Sequence, residues 1–267
     1  MSATFGPAGN SDSFSAVHRS SLDAPKWIAD FGLDCYEYQC GKGVHIGEGT
    51  ARSLGEHAAA CGIRLSLHAP YFINLANPEP ESQRKTTGYI LAACQAADWM
   101  GAARVVVHTG ALMKRTRREA LDIALRSMRQ ALAACDGEGY GHIALCPETM
   151  GKINQLGDLD EVLELCQLDE RLVPTVDFGH LYARTLGELE GHENLLLLRA
   201  FTKWYAMAGV RLGYALSADT ALLEQMQACG QPWGVSSLAQ AAGLAALEET
   251  AYVEKVRALI AEQRPRL

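Results

Sequence analysis

Short β-rich runs alternate with longer helical patterns through the first two-thirds of this chain, and that alternation limits the possible folds. The predicted strands lie near residues 2–6, 33–38, 63–67, 104–107, 142–147 and 173–177, with helices predicted at about 22–31, 49–61, 84–100, 116–135 and 158–167. Such alternation requires parallel strands joined by right-handed crossovers. Six successive units favour a TIM-type (β/α)8 barrel, because the first turn, "FGPAGNSDS", lacks the GxGxxG of a doubly wound nucleotide-binding sheet. We predict an α/β barrel that is incomplete, since only six βα units are clear.

Ligand-type side chains stand where four of these strands end. His68 follows "IRLSL", His108 follows "RVVV", Glu148 follows "HIALCP", and Asp177 and His180 follow "LVPTV". The carboxyl ends of barrel strands meet at one rim, and imidazole and carboxylate groups are the ligands that zinc, manganese and iron accept. Each residue alone could be a helix cap or a hydrogen-bonding group. Because four strands deliver them to one rim, the pattern predicts a metal site.

The charge of the chain is unevenly distributed. The formal net charge of −7 belongs entirely to residues 1–191, since residues 192–267 hold seven Lys/Arg and seven Asp/Glu. An acidic surface argues against tight non-specific binding of nucleic acid. The basic run "KRTRR" at 114–118 is the exception, and it could contact phosphate or form a solvated helix face.

Composition and cysteine spacing indicate the cellular compartment in which the protein works. The chain has 267 residues, of which 48% are hydrophobic and 21% charged, as in ordinary globular proteins. Its eight cysteines form no CxxC pair, which is typical of thiols in a reducing compartment. It has no apolar run near the roughly 20 residues of a membrane span, and its first residues lack the features of a signal peptide. We therefore expect a cytoplasmic protein without membrane association, and we infer no protein partner.

Four segments together resemble a known family. They are "HAPYFINLANP" (68–78), "VVHTG" (106–110), "CPETMGK" (146–152) and "PTVDFGHLYARTLG" (174–187). In order, spacing and placement at strand ends they resemble the endonuclease IV family of zinc-dependent nucleases, within the xylose-isomerase-like barrels. The resemblance covers about residues 1–190. It implies a hydrolase that acts on abasic sites, with damaged DNA as its partner.

The resemblance also implies residue roles. His68, His108 and Glu148 correspond to ligands of a first zinc, with Glu148 bridging to a second and acting as the catalytic residue. Asp177 corresponds to a ligand of the second zinc and His180 to a ligand of the third. The family holds up to three zinc ions, and only the first site is complete here.

Two further residues are expected to contact DNA. Tyr71 and Asn74 fall in the segment that resembles the family's DNA-contacting loop. An aromatic ring there could fill the gap at a missing base. Since Phe72 is adjacent, Tyr71 could equally belong to the core.

After residue 190 the chain resembles something else. "LLLLRAFTKWYAMAGVRLGYAL" (195–216) and "QPWGVSSLAQAAGLAALE" (231–248) resemble a fragment of the histidinol-phosphate aminotransferases and threonine-phosphate decarboxylases. In that group Lys203 would bind pyridoxal phosphate and Arg211 would hold its phosphate. The segments that complete such a pocket are missing, which favours solvated charges over a cofactor site. We therefore predict two parts, a partial barrel at 1–190 and a foreign α/β tail at 191–267.

Several functions remain open. A nuclease of the endonuclease IV type is favoured, impaired because residues 191–267 contain no Asp-x-His pair and only one histidine, His192, where the family draws ligands from strands 7 and 8. A sugar or sugar-phosphate isomerase or epimerase with one divalent metal is the first alternative. A non-catalytic chimeric fragment is the second, and a pyridoxal-phosphate enzyme comes last.

Overall fold

The computed structural model describes residues 4–185, 196–201, 205, 207, 209, 212–229 and 235–263. Lys203 and Arg211 lie outside the described residues. Backbone packing divides the chain into two compact units, residues 1–186 and 187–267. Whether these units have separate origins, as the predicted junction near 190 implies, stays a prediction.

The first unit is a repeating β–α arrangement around a parallel sheet. Its strands are β1 (Cys35–Gln39), β2 (Arg64–His68), β3 (Arg104–His108) and β4 (Ala144–Glu148), paired in the order β1-β2-β3-β4. Its helices are α1 (Asp12–Val17), α2 (Ala24–Asp30), α3 (Glu48–Ala60), α4 (Pro80–Met100), α5 (Arg117–Gly137), α6 (Leu159–Cys166) and α7 (Phe178–Thr185). A 3-10 turn at Ser21–Asp23 precedes α2. The four central strands and the five long helical patterns agree with the predicted elements to within a few residues.

The two outer predicted strands are not formed as strands in the described residues. Residues 4–6 of the predicted strand 2–6 are not in a strand, and one parallel bridge joins the nearby Ala8 to Glu37. In place of strand 173–177, isolated bridges join Leu145 to Leu172 and Glu148 to Thr175. Both segments still hydrogen-bond to an edge of the sheet, since the backbone N–H of Glu37 donates to the carbonyl of Pro7 at 3.1 Å and that of Thr175 to the carbonyl of Pro147 at 2.9 Å. They therefore lie beside β1 and β4 without forming regular strands.

The core lies between the sheet and its helices. Val105 and Val107 of β3, Leu67 of β2 and Leu145 of β4 are fully or almost fully buried. Because successive side chains of a strand point to opposite faces, the alternate residues of these strands face the other side of the sheet. His68, His108 and Glu148 belong to that second set. The fold therefore directs them away from the helices and into the barrel interior.

Local signals explain where the long helices begin and end. Thr116 caps α5, accepting from the backbone N–H of Glu119, while the Glu119 carboxylate accepts from the backbone N–H of Thr116. α4 ends at Gly101, whose φ of 68° is the left-handed conformation that glycine adopts without strain. Gly101 lies three residues before β3 begins at Arg104, so the end of α4 is followed closely by the next strand.

The second unit contains an antiparallel hairpin and three helices among its described residues. β5 (Leu196–Ala200) pairs with β6 (Gly213–Ser217), followed by α8 (Thr220–Cys229), α9 (Ser237–Glu248) and α10 (Thr250–Gln263). Consecutive strands of a (β/α)8 barrel run parallel, so this pairing differs from that of strands 7 and 8. Within the described ranges, no helix combines the length and apolar content needed to cross a bilayer.

Candidate metal centre

The ends of β2, β3 and β4 bring three ligand-type residues to one rim. His108 and Glu148 are paired in register across β3 and β4, and His68 ends the next strand along. Nε2 of His108 lies 3.1 Å from Oε2 of Glu148, and Nε2 of His68 lies 3.3 Å from the same oxygen. The three side chains are largely buried, with 14% of His68, 16% of His108 and 7% of Glu148 exposed. We name this set the first triad.

A second group meets the other oxygen of the same carboxylate. Nδ1 of His180 lies 3.7 Å from Oε1 of Glu148 and 3.5 Å from Oδ2 of Asp177. The backbone N–H of His180 donates to Oδ1 of Asp177 at 2.7 Å, which fixes Asp177 at the start of α7. Asp177 and His180 are each more than a third exposed, so this set opens toward solvent. We name Glu148, Asp177 and His180 the second triad.

A hydrogen bond from Nδ1 to a backbone carbonyl orients each of the three histidine rings. Nδ1 contacts a backbone carbonyl in every case: that of Ala69 at 2.8 Å from His68, that of Tyr71 at 3.0 Å from His108, and that of Thr149 at 2.8 Å from His180. A carbonyl can only accept, so Nδ1 must carry the proton. In His68 and His108, Nε2 is left facing Glu148 as the nitrogen that can bind a cation, an orientation typical of metal-binding histidines. In His180 the ring nitrogen that lies nearest Glu148 and Asp177 is this same Nδ1.

Electrostatics at the first triad favour ionised groups. Burial alone would raise the pKa of Glu148, but hydrogen bonds from His108 and His68 outweigh it and lower this pKa to about 2. Burial alone would lower the pKa of His68, whereas its bonds to Glu148 and to the Ala69 carbonyl raise this pKa above its ordinary value. Without metal, the ionised carboxylate is therefore stabilised by hydrogen bonds from the two imidazoles. A bound cation would take the place of those bonds.

The donor chemistry fits a transition-metal ion. In each triad, ligand atoms can be chosen that all lie within 4.8 Å of one another. Two imidazoles with one carboxylate, and one imidazole with two carboxylates, are donor sets that zinc, manganese and iron accept. Three protein ligands with an open position are typical of catalytic zinc.

Thr149 organises the second triad and was missed by the sequence analysis. It is fully buried next to Glu148, and its hydroxyl accepts from the backbone N–H of Asp177 at 2.9 Å and donates to the carbonyl of Asp177 at 3.3 Å. Its own carbonyl holds the ring of His180. A threonine directly after a strand-end carboxylate was the only sequence signal, and a signal of that kind is weak.

The two residues expected to contact DNA lie in different environments. Tyr71 is 59% exposed, and its ring packs edge-on against Phe72. Asn74 is half-buried, and its Oδ1 accepts from the backbone N–H groups of Ala76 and Ala111, both at 3.1 Å. Asn74 thereby joins the loop after β2 to the loop after β3. Its role in DNA binding stays a prediction, as does that of Tyr71.

The basic run at 114–118 is partly neutralised by acidic neighbours. Arg117 pairs with Glu161, and Arg118 pairs with Asp122 and Glu164. These contacts join α5 to α6 and agree with a structural role for both arginines. Lys114 stays exposed, in the left-handed backbone conformation with a φ of 62°.

Comparison with known families identifies the family to which the chain belongs. The family model described as "Xylose isomerase-like TIM barrel" matches residues 25–220. The chain therefore belongs to the xylose isomerase-like TIM barrel family, which confirms the predicted fold class.

Individual relatives differ in kind and in how much of this chain they match. An uncharacterized protein of Methanocaldococcus jannaschii is 29% identical over 167 residues, 62% of this chain and 59% of its own length. A histidinol-phosphate aminotransferase of an Anaeromyxobacter species is 41% identical over 101 residues, 38% of this chain but only 27% of that enzyme. This chain thus spans less than two-thirds of either relative.

Solved structures share the barrel. A D-tagatose 3-epimerase-like protein has a TM-score of 0.51 at 26% identity, covering 61% of this chain and 62% of its own. An AP endonuclease of family 2 from Brucella melitensis has a TM-score of 0.51 at 12% identity, covering 64% of this chain and 68% of its own. At 12% identity the second likeness is one of fold alone.

Proposed function

We propose that this chain is a zinc-dependent phosphodiesterase that cleaves DNA at abasic sites. The observation that supports this proposal is the sharing of Glu148 between the two triads, with Oε2 facing His68 and His108 and Oε1 facing His180. One carboxylate between two donor sets suits two cations a few ångströms apart. That arrangement is used in hydrolysis of phosphodiesters, where charge develops on both the attacking and leaving oxygens.

In this proposal each residue of the site has its own role. Bound metal would supply an activated water and neutralise the charge that develops on the phosphate. Glu148 holds the two halves of the centre together, and the carbonyls of Ala69 and Tyr71 keep the Nε2 atoms of the first triad aimed at it. We propose that the ring of Tyr71 stacks against a base beside the damaged position, a role supported by its exposure and by the contact of its carbonyl with His108.

We further propose that the activity is reduced relative to complete members of the endonuclease IV family. Residues 191–267 contain only one histidine, His192, and no Asp-x-His pair. The family draws further zinc ligands from that part of the barrel. Fewer ligands leave the metal ions less tightly held and the attacking water less well oriented.

The test is cleavage of a DNA duplex that contains one abasic-site analogue, followed on a denaturing gel with added Zn²⁺. Glu148→Ala is expected to abolish cleavage. His142→Ala is the matched control, because His142 is an exposed histidine that pairs with Asp98 next to the start of β4. Cleavage by Glu148→Ala at the wild-type rate would remove the nuclease proposal.

A sugar epimerase is the second candidate, supported by the 26% identity to the D-tagatose 3-epimerase-like protein. A single divalent ion at the second triad would be sufficient for chemistry on a polyol. His68→Ala separates the two candidates, since the epimerase proposal leaves His68 outside the metal site. Epimerisation of D-tagatose or D-fructose that survives His68→Ala, together with absent cleavage of DNA, would favour the epimerase.

The pyridoxal-phosphate proposal is the weakest, because this chain spans only about a quarter of the aminotransferase from Anaeromyxobacter. An absorbance band of bound pyridoxal phosphate that disappears in Lys203→Ala would support it. Absence of metal binding, of cleavage and of that band would leave the non-catalytic fragment.

A further inference from the structure

Arg184 lies on α7 four residues after His180, so the two side chains share one face of the helix. Its guanidinium donates to three backbone carbonyls of the loop after β4: Nε to Met150 at 2.9 Å, Nη2 to Lys152 at 3.0 Å, and Nη2 to Gln155 at 2.8 Å. A planar guanidinium can make such a set of bonds, whereas an ammonium group on a flexible stem cannot reproduce its geometry.

A second arginine holds the same loop from α5. Arg117 donates from Nη1 to the carbonyl of Ile153 at 3.0 Å and from Nη2 to that of Gln155 at 3.3 Å. Its charge is balanced by Glu161 and by Asp158, whose Oδ2 lies 3.2 Å away. The two arginines together make five hydrogen bonds to the backbone of residues 150–155, so this loop is fixed from two sides.

The fixed loop lies between the strand that carries Glu148 and the helix that carries His180. It continues directly from Glu148 and Thr149, and the Thr149 carbonyl bonds the ring of His180. Arg184 is therefore anchored on the helix that carries His180 and bonds the segment that carries Glu148. A shift of α7 along this segment would change the distance between Glu148 and His180, while His68 and His108 are held by other strands.

We propose that Arg184 is a positioning residue that sets the distance between His180 and the shared carboxylate of Glu148 by fixing α7 against residues 149–155. This inference rests on the proposed two-metal site. It assigns Arg184 to the second triad alone, because none of its three acceptors belongs to the loops after β2 and β3.

The experiment compares Arg184→Met and Arg184→Lys with the wild-type chain in two measurements. Arg118→Met is the matched control, because Arg118 is an arginine of the neighbouring helix α5 that pairs with Asp122 and Glu164 and makes none of the five bonds to the loop. The first measurement is titration of the metal-free chain with Co²⁺, followed by visible absorbance. The second is the rate at which trypsin cuts after the exposed Lys152 in the metal-free chain, followed by mass spectrometry.

In Arg184→Met we expect affinity for the second Co²⁺ ion to fall about 10- to 100-fold, with affinity for the first unchanged. Trypsin should cut after Lys152 about tenfold faster, because the loop opens more often. Arg184→Lys should recover little of either property, and Arg118→Met should match the wild type in both.

The two measurements separate the inference from the proposed function. If the wild type binds no Co²⁺ yet Arg184→Met is cut faster, the two-metal proposal fails and the fixing of the loop by Arg184 stands. An unchanged rate of cutting after Lys152 would overturn the inference, whatever the metal titration gives. An equal loss of affinity for both ions would also overturn it, because that result indicates general loosening of the fold.

Discussion

His108 and Glu148 are in-register neighbours at the ends of β3 and β4, and Nε2 of His108 lies 3.1 Å from Oε2 of Glu148. Forty residues of chain separate them, yet the parallel pairing of two strands is sufficient to bring them together. The same carboxylate reaches His180 through its other oxygen. Glu148 is thus the centre of the whole arrangement.

Removing one histidine from each triad should remove one metal ion at a time. We expect His68→Ala to lose the ion of the first triad and His180→Ala to lose that of the second, because the two donor sets share only Glu148. Glu148→Ala should lose both. Zinc per chain, measured by mass spectrometry after gel filtration, checks this; identical losses in the two histidine variants would mean a single site.

We expect the first triad to stabilise the metal-free fold more strongly in mildly acidic solution than at lower or higher pH. The pKa of Glu148, about 2 against an ordinary 4.5, gives stability above pH 4.5 that is lost as the pH falls toward 2. The raised pKa of His68 gives stability below its ordinary 6.5 that is lost as the pH rises through the folded-state value. Both contributions are therefore present together between pH 4.5 and 6.5.

Urea unfolding in the presence of a chelator measures this effect. We expect Glu148→Gln to lower the free energy of unfolding by on the order of 2 kcal/mol within that window and by less on either side of it. Asp30→Asn, which removes an exposed partner of Lys26, is the control and should show no such maximum. An equal loss for Glu148→Gln at all pH values would mean that the ionised pair is not what stabilises the rim.

Gly110, two residues after His108, should not tolerate a side chain. Its φ is 107°, and an added Cβ would lie 2.9 Å from Cα of Asn74, so both the backbone and the neighbouring loop oppose it. We expect Gly110→Ala to lower the free energy of unfolding by about 2–3 kcal/mol. Gly62→Ala is the control, with a φ of 70° and no atom near the added Cβ, and should cost about 1 kcal/mol.

Tyr71 should affect substrate binding and not metal binding. Its ring is exposed, and only its backbone carbonyl contacts His108. We expect Tyr71→Ala to retain its zinc and to bind abasic-site DNA more weakly, by about 1–3 kcal/mol for one lost stacking contact. Fluorescence anisotropy with labelled duplex measures the affinity, and an unchanged affinity would place Tyr71 outside the DNA interface.

The sequence was sufficient for the inner strands and for the residues at their ends. Polar groups after apolar runs, as in His68 and His108, identify the rim because parallel strands end at the same edge. Thr149 and Arg184 could not be predicted in the same way, since their partners are backbone N–H and carbonyl groups of other loops, whose positions depend on tertiary packing. The strands expected at 2–6 and 173–177 are not formed in the described residues, and isolated bridges lie near them, because local pattern does not show how many ladder hydrogen bonds a segment makes at the edge of a sheet.

The number of zinc ions that the purified chain binds tests the central claim most directly. Chain loaded with Zn²⁺, freed of excess metal and analysed by mass spectrometry should hold two ions, and Glu148→Ala should hold none. A wild-type chain that binds no zinc, or a Glu148→Ala chain that binds as much as the wild type, would contradict the account.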